Sequence, residues 1–290
     1  MRVCVIGGSG FLGSHVADKL SHAGHEVLIY DRELSPWLKP SQTMRIGDIL
    51  AFDILQDAIE GCDAVYNFAA LADLNDALDK PIETVKINIL GNVNVLEACR
   101  QQSVKRIVYA STVYVYSREG GFYRCSKQAA ESYVDEYQRV YGLDYTILRY
   151  GSLYGPRADA SNGLYRIVRN ALQLGVVRYE GSCDSMREYI HVEDAARASV
   201  IALNADFCNQ SVVLTGMQPM LVQDLLKMIA EILGITREVE FVDGEQPGHY
   251  TRTPYAYQPK LGRKYMPPLH VDLGQGLLQL IDEIRRREGG

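Results

Sequence analysis

The run Gly7-Gly8-Ser9-Gly10-Phe11-Leu12-Gly13 constrains the fold of this chain more than any other feature. It follows an apolar run at residues 3–6 and opens residues 12–23, where apolar side chains recur at helical spacing. Glycine here permits a tight strand-to-helix turn, lets backbone N–H groups approach an anion, and allows the helix to pack close on the strand. The helix turns its positive N-terminal end toward the turn, an arrangement that suits phosphate. The alternation then continues. Strand patterns fall at residues 27–30, 64–68, 107–110 and 145–148, with another just before Gly47, and helical patterns at 52–60, 82–101 and 127–141. Within 82–101, Val85, Ile89, Val93, Leu96 and Cys99 mark the expected packed face. Such alternation builds a parallel sheet with helices on both faces, the α/β class. After about Pro156 the rhythm breaks into a polar loop at 158–163, helices at 164–174, 221–233 and 275–286, and a Gly-, Pro- and Tyr-rich loop at 243–268. The expected architecture is a doubly wound parallel sheet with a smaller, mixed α/β C-terminal substrate lobe. Its expected division is 1–156 for the nucleotide-binding domain, with a return segment near 187–205, and 157–290 mainly for the substrate lobe.

The second strand ends in Asp31, 18 residues past Gly13, where a carboxylate takes the adenosine ribose hydroxyls of NAD and repels the 2′-phosphate of NADP. This completes a Rossmann-type fingerprint, with the N–H groups around Gly7, Gly10, Phe11 and Leu12 expected on the pyrophosphate. Asp48 and Ile49 are candidates for the adenine side, and Phe68-Ala69-Ala70 are small enough at the next strand end to let the cofactor lie on the backbone. Ser111 and Thr112 close the following strand, at the carboxyl edge where open parallel sheets bind ligands. Tyr123 and Lys127, four apart at the start of a helix, project from one face. A free phenol titrates near ~10, so an adjacent ammonium is expected to lower the Tyr123 pKa and make it a usable base. Thr112 is expected to hydrogen-bond the reacting hydroxyl.

These residues together resemble the extended short-chain dehydrogenase/reductase superfamily, the nucleotide-sugar epimerases and dehydratases. The glycine turn, Asp31, Phe68-Ala69-Ala70, Asn88 with Gly91-Asn92-Val93, Ser111-Thr112, Val115-Tyr116 and Tyr123 to Lys127 stand in that family's order. So do Leu148-Arg149-Tyr150, Tyr154-Gly155-Pro156-Arg157 and the run from Arg187 to Asp194. The resemblance implies that Tyr123 removes a proton from a sugar hydroxyl while NAD takes hydride from the same carbon. It implies too that Lys127 holds the nicotinamide ribose, that Asn88 and Ser111 belong to the cofactor site, and that Thr112 bonds the sugar oxygen. A keto sugar that turns over and regains hydride on its other face is epimerised. The activity expected is that of a UDP-glucose 4-epimerase-like isomerase acting at C4 of a UDP-hexose or UDP-N-acetylhexosamine.

Departures from the family narrow the reaction. The Asp-Glu pair that follows the threonine in 4,6-dehydratases is Val113-Tyr114 here, which cannot serve as carboxylate acid and base. The loop between Thr112 and Tyr123 is short, and Ser152 replaces the asparagine that often meets the diphosphate. Arg187 is the leading candidate for that diphosphate, because a guanidinium binds phosphate bidentately. His249 and Arg252 are candidates to close over the phosphates, and His191 reads as a core or capping histidine. With Val113 and Tyr114 after the threonine, elimination and decarboxylation are disfavoured, and a keto-sugar reductase remains the main alternative, ahead of a 4,6-dehydratase and of a catalytically silent dinucleotide sensor, the last disfavoured by the intact Thr112, Tyr123 and Lys127.

A net charge of −6 offers no broad cationic surface, which argues against nucleic acid and membrane surfaces as partners. Six scattered cysteines without C-x-x-C pairs read as free thiols rather than a metal site or a disulfide framework, and no segment has the form of a signal peptide or membrane span. A cytoplasmic location is the expectation. The helices near 82–101 and 124–141 would pair two copies of the chain as a homodimer, again by resemblance to the family.

Overall fold

The computed structural model describes residues 1–237, 239–242 and 249–254. The N-terminal part alternates β1 (Arg2–Ile6), α1 (Phe11–His22), β2 (Glu26–Asp31), β3 (Gln42–Ile46), α2 (Phe52–Ile59) and β4 (Ala64–Asn67). There follow α3 (Leu74–Asp79), α4 (Pro81–Val85), α5 (Gly91–Gln101), β5 (Arg106–Thr112), α6 (Gly121–Tyr141) and β6 (Asp144–Tyr150). Then come β7 (Ser152–Tyr154), α7 (Gly163–Leu174), β8 (Arg178–Glu180), β9 (Met186–Arg187), β10 (Tyr189–His191) and α8 (Val192–Ile201). The described part closes with β11 (Gln210–Leu214), β12 (Met220–Leu221), α9 (Val222–Leu233) and β13 (Glu240–Val242).

Seven strands form one sheet in the order β11-β6-β5-β4-β1-β2-β3, and every pairing within it is parallel. The order reverses between β1 and β4, so a crevice opens at their carboxyl ends, the place where doubly wound sheets hold dinucleotides. Two apolar clusters cover the sheet. One joins Ile6, Tyr30, Ile107 and Tyr109 to Leu55, Leu96, Cys99 and Val134 of α2, α5 and α6. The other joins Val3, Val5, Ile29 and Val108 to Val16 and Leu20 of α1 and to Ala195 and Ala196 of α8. A third, separate cluster packs Ala171 of α7, Tyr179 of β8 and Leu226 and Ile229 of α9.

Two expectations are corrected. The helical pattern at 82–101 is interrupted by a π turn at Lys86–Leu90, between α4 and α5. The extra residue in that turn shifts the buried line: Thr84, Asn88, Asn92, Leu96 and Cys99 are buried, while Val85 lies exposed and Ile89 and Val93 only half-buried. Three of those inward positions carry polar side chains, which is why apolar periodicity missed the buried face at Val85, Ile89 and Val93 while Leu96 and Cys99 are buried as expected. The seventh strand, β11, was not expected. Its apolar run, 212–214, is short, and what makes it a strand is parallel pairing with β6, far back in the sequence, with Val212 and Leu214 half-buried. The helix expected at 275–286 lies outside the described residues.

Candidate active site

The glycine turn forms a cradle because it holds no side chains. Gly7 has φ +77°, and a Cβ there would lie 2.7 Å from the Ala69 nitrogen; a Cβ on Gly13 would lie 2.2 Å from the Gly7 oxygen. β1, β4 and α1 therefore approach each other at backbone contact. Gly10 is the N-cap of α1 and supplies no side-chain cap, and the first turn carries no acidic residue. The N–H groups of Phe11 and Leu12, which have no partner inside the helix, are left to an anion. Asp31 stands across the turn: its carboxylate accepts a hydrogen bond from the Ser9 N–H at 3.0 Å. Glycines at the switch point and a carboxylate on the second strand fit a dinucleotide.

The other expected cofactor residues are placed unevenly. Phe68 stacks on Tyr66 at 5.9 Å and Ala69 N–H donates to the Asn67 side chain, so residues 68–70 run along the crevice beside Gly7. Asp48 caps its own turn by accepting from Leu50 N–H at 2.8 Å, and Ile49 is buried in the core, its side chain where a Cβ on Gly91 would be. Asn88 lies inside the π turn. It accepts from Leu71 N–H at 2.7 Å and donates to Leu71 O and Ser126 Oγ, bracing the loop after β4 against α6. Ser111 is buried, and its hydroxyl donates to Glu131 at 2.5 Å.

Thr112 ends β5, and its hydroxyl accepts from Tyr114 N–H, which caps the tight turn Val113–Tyr116. Gly120 and Gly121, with φ of +96° and +50°, then swing the chain into α6 within a few residues, which is what makes the short loop possible. Tyr123 and Lys127 lie one helical turn apart on α6, and the Lys127 ammonium is 5.8 Å from the Tyr123 ring centre. That ammonium donates to Ala110 O at 2.8 Å and sits over the Tyr109 ring at 4.8 Å. Burial pushes Lys127 down to about 8, opposed by Glu131. Burial likewise pushes the Tyr123 phenol up to about 12, against the opposing hydrogen bond with Thr112. The expectation that Lys127 lowers Tyr123 is thus corrected for the protein alone: the ammonium is turned to a carbonyl, and enclosure of the phenol prevails.

Behind this pair lies a network that the sequence reading did not single out. Glu131 accepts from Ser111 and from Arg149 Nε and Nη2 at 3.0 and 2.7 Å, and Arg149 Nη1 donates to the Tyr116 hydroxyl. It ties β5, β6, α6 and the turn after Thr112 into one rigid support. The sequence signals were Glu131 four residues after Lys127, on the same helix face, and the place of Ser111, Tyr116 and Arg149 in the family's order.

Arg187 on β9 is only 8% exposed. The groups acting on its charge are the phenols of Tyr114, Tyr179 and Tyr250, and its guanidinium lies 4.9 Å over the Tyr250 ring. Among the described residues it forms no ion pair, neither with Asp184 nor with Glu188. A buried guanidinium without a carboxylate is an anion site in waiting. Ser152 Oγ lies 3.5 Å from the Tyr250 hydroxyl, and His249 Nδ1 lies 3.2 Å from the Tyr114 hydroxyl, so both stand beside that arginine. Burial and the charges of Arg187 and Arg166 push His249 down to about 4, so its ring is neutral near pH 7. Arg252 is exposed and holds the segment by a backbone bridge to Met186. His191 caps α8, its Nδ1 accepting from Glu193 N–H at 3.3 Å.

A glycine cradle at the switch point, an acidic second strand and a Tyr–Lys pair beyond β5 define an enzyme of Rossmann architecture that works through a dinucleotide. Residues 3–214 match the model of the NAD dependent epimerase/dehydratase family, and the chain belongs to that family. NAD is accordingly its cofactor, and the cradle fits it. A putative UDP-glucose 4-epimerase from Methanocaldococcus jannaschii is 29% identical over 225 residues, covering 70% of this chain and 73% of the relative. UDP-glucuronate 4-epimerase from Thermodesulfobacterium geofontis is 26% identical over 267 residues, covering 82% and 83%. Among solved structures, UDP-glucose 4-epimerase from Thermotoga maritima with UDP-glucose aligns over 99% of both chains with a TM-score of 0.82 and 25% identity.

Proposed function

We propose that this enzyme epimerises a nucleotide-activated sugar, at C4 of a UDP-hexose or UDP-N-acetylhexosamine, through a transient keto sugar. One observation carries the reading: the Tyr123 phenol stands with Thr112 and Lys127 at the carboxyl end of β5, on the same edge of the sheet as the cradle after β1, while Val113 and Tyr114 follow the threonine where elimination would need carboxylates. Bound NAD supplies reversible hydride transfer. Tyr123 takes the proton of the sugar hydroxyl and later returns it, and Thr112 holds the same oxygen by a hydrogen bond. Lys127 holds the nicotinamide ribose and, once its ammonium leaves Ala110 O, stabilises the phenolate. Asp31 takes the adenosine ribose, which favours NAD over NADP. Arg187 pairs with the diphosphate, supplying the counter-charge that its own surroundings omit, with Ser152 beside it. On this reading residues 1–156 with the return segment hold the cofactor, and the 157–290 lobe holds the nucleotide sugar.

The names of the relatives from Methanocaldococcus jannaschii and Thermodesulfobacterium geofontis support UDP-sugars and 4-epimerisation, while UDP-glucuronic acid decarboxylase 1 from Xenopus tropicalis, 26% identical, supports UDP-sugars alone. A homodimer is part of the proposal: Ile82, Val85 and Leu90 on one helical stretch and Tyr133, Val140 and Tyr141 on α6 are exposed apolar residues that a second copy would cover. The test is to incubate the purified protein, without added cofactor, with UDP-, GDP-, CDP- and dTDP-sugars and follow product mass and proton NMR. The expected result is a new isomer of unchanged mass from a UDP-sugar. Tyr123→Phe is expected to lower kcat at least a hundredfold while NAD remains bound. Reaction only with a keto sugar and reduced cofactor would instead identify a reductase.

A further inference from the structure

Tyr114 is the residue whose place the reaction above leaves without a task. Its ring stands edge-on to the Tyr123 ring at 6.4 Å and tilted against Tyr250 at 4.6 Å, so it fills the space between the proposed base and the Arg187–Tyr250 pair. The chain builds room for it. A Cβ on Gly120 would lie 2.8 Å from Tyr114 Cδ1, and Gly120 has a positive φ that other residues rarely adopt. Its hydroxyl pairs with His249 Nδ1, brought from a distant part of the sequence by a strap that Met186 N–H binds through Thr251 O at 2.7 Å.

The pair is neutral at physiological pH. Burial keeps the Tyr114 phenol far above its ordinary value, and burial with Arg187 and Arg166 keeps the His249 imidazole unprotonated. The remaining charges beside His249, Asp73 and Arg166, face each other at 3.6 Å. With Arg187, which also reaches the Tyr114 phenol, turned to the diphosphate, the pair offers one further donor and one further acceptor whichever imidazole nitrogen carries the proton. A hydroxyl can satisfy both. A carboxylate accepts only, and would leave one polar atom facing a like partner in a desolvated wall.

We propose that Tyr114 and His249 form an uncharged donor–acceptor pair that reads a hydroxyl-bearing end of the sugar, and so select a UDP-hexose over the corresponding UDP-uronic acid. The proposal rests on the Tyr123-centred site and on Arg187 being taken by the diphosphate, which leaves, among the described positive charges acting on His249, only Arg166, already paired with Asp73.

Full-length protein loaded with NAD is titrated calorimetrically with UDP-glucose and with UDP-glucuronate, and each mixture is followed by proton NMR. UDP-glucose is expected to bind about tenfold tighter or more, a gap in the range that one mismatched buried polar contact produces. Tyr114→Phe and His249→Phe are each expected to bring the two Kd values within about threefold, by weakening UDP-glucose. A structural role alone would weaken both ligands together and keep their ratio, and that result overturns the proposal. So does a wild type that binds UDP-glucuronate as tightly, or one that binds neither. Should Tyr114→Phe fail to fold, His249→Gln tests the same ratio from the strap. A tenfold preference lost in the variants, with no isomer formed from either sugar, would overturn the epimerase and leave the pair standing; equal turnover of both sugars would do the reverse.

Discussion

Lys127 carries the least comfortable charge in the site. Its folded pKa of about 8 lies below the 10.5 of an unburied lysine, so between those values the unfolded chain binds more protons than the folded one. Stability contributed at this residue therefore rises with pH across that window, and below about 8 the cost of burying the ammonium is fully present. Lys127→Met is expected to raise the stability of the NAD-free protein at pH 7 by on the order of 2 kcal/mol, and to lose that advantage as the pH climbs toward 10.5. Chemical denaturation at a series of pH values checks both signs, and the loss of turnover in the same variant would mark a site where stability is given up for function. The pairing of Tyr123 with Lys127 was legible from four-residue spacing. The direction of the ammonium, toward Ala110 O and the Tyr109 ring, was not, because it depends on β5 lying beneath α6.

At the scale of elements, the turn from β1 into α1 and the π turn between α4 and α5 show how differently two devices read in sequence. The glycine turn announces itself, since only a residue without Cβ allows backbone to meet backbone at Gly7 and Gly13. Gly13→Ala is expected to push α1 away from the turn. The cost is about 1–3 kcal/mol in thermal or chemical unfolding, with loss of measurable NAD binding by calorimetry. The π turn is silent in sequence, because its reason is tertiary: Asn88 must reach Leu71 and Ser126 together, and Asn92 must reach Asn67 on β4 and Ala130 O on α6. A pattern of apolar residues cannot disclose the part of a helix face whose buried residues are Thr84, Asn88 and Asn92.

Across the whole molecule, distant segments are fastened to α1. Asp18 on its inner side accepts from Arg157 Nη2 at 2.7 Å and Gln42 Nε2 at 3.1 Å and pairs with Lys39, while His15 meets Glu193 of α8 and Pro156 O. Burial raises the Asp18 pKa, but its hydrogen bonds to Arg157, Lys39 and Gln42 prevail and lower it, so its contribution is present above the usual carboxylate range and lost as pH falls through the lowered value. Asp18→Asn is expected to cost about 3 kcal/mol at pH 7, the scale of removing one partner from a buried ion cluster. The difference from wild type should shrink on acidification, as read by urea unfolding.

The parallel sheet, the cradle and the pairing of Tyr123 with Lys127 were legible in sequence alone, because each rests on local spacing: a period, a turn that only glycine makes, or two side chains one helical turn apart. The seventh strand, the support of Glu131 and Arg149, and the meeting of Tyr114 with His249 were decided by tertiary structure. Those contacts join residues from 18 to 135 positions apart, and their partners are chosen by which elements the folded sheet brings side by side.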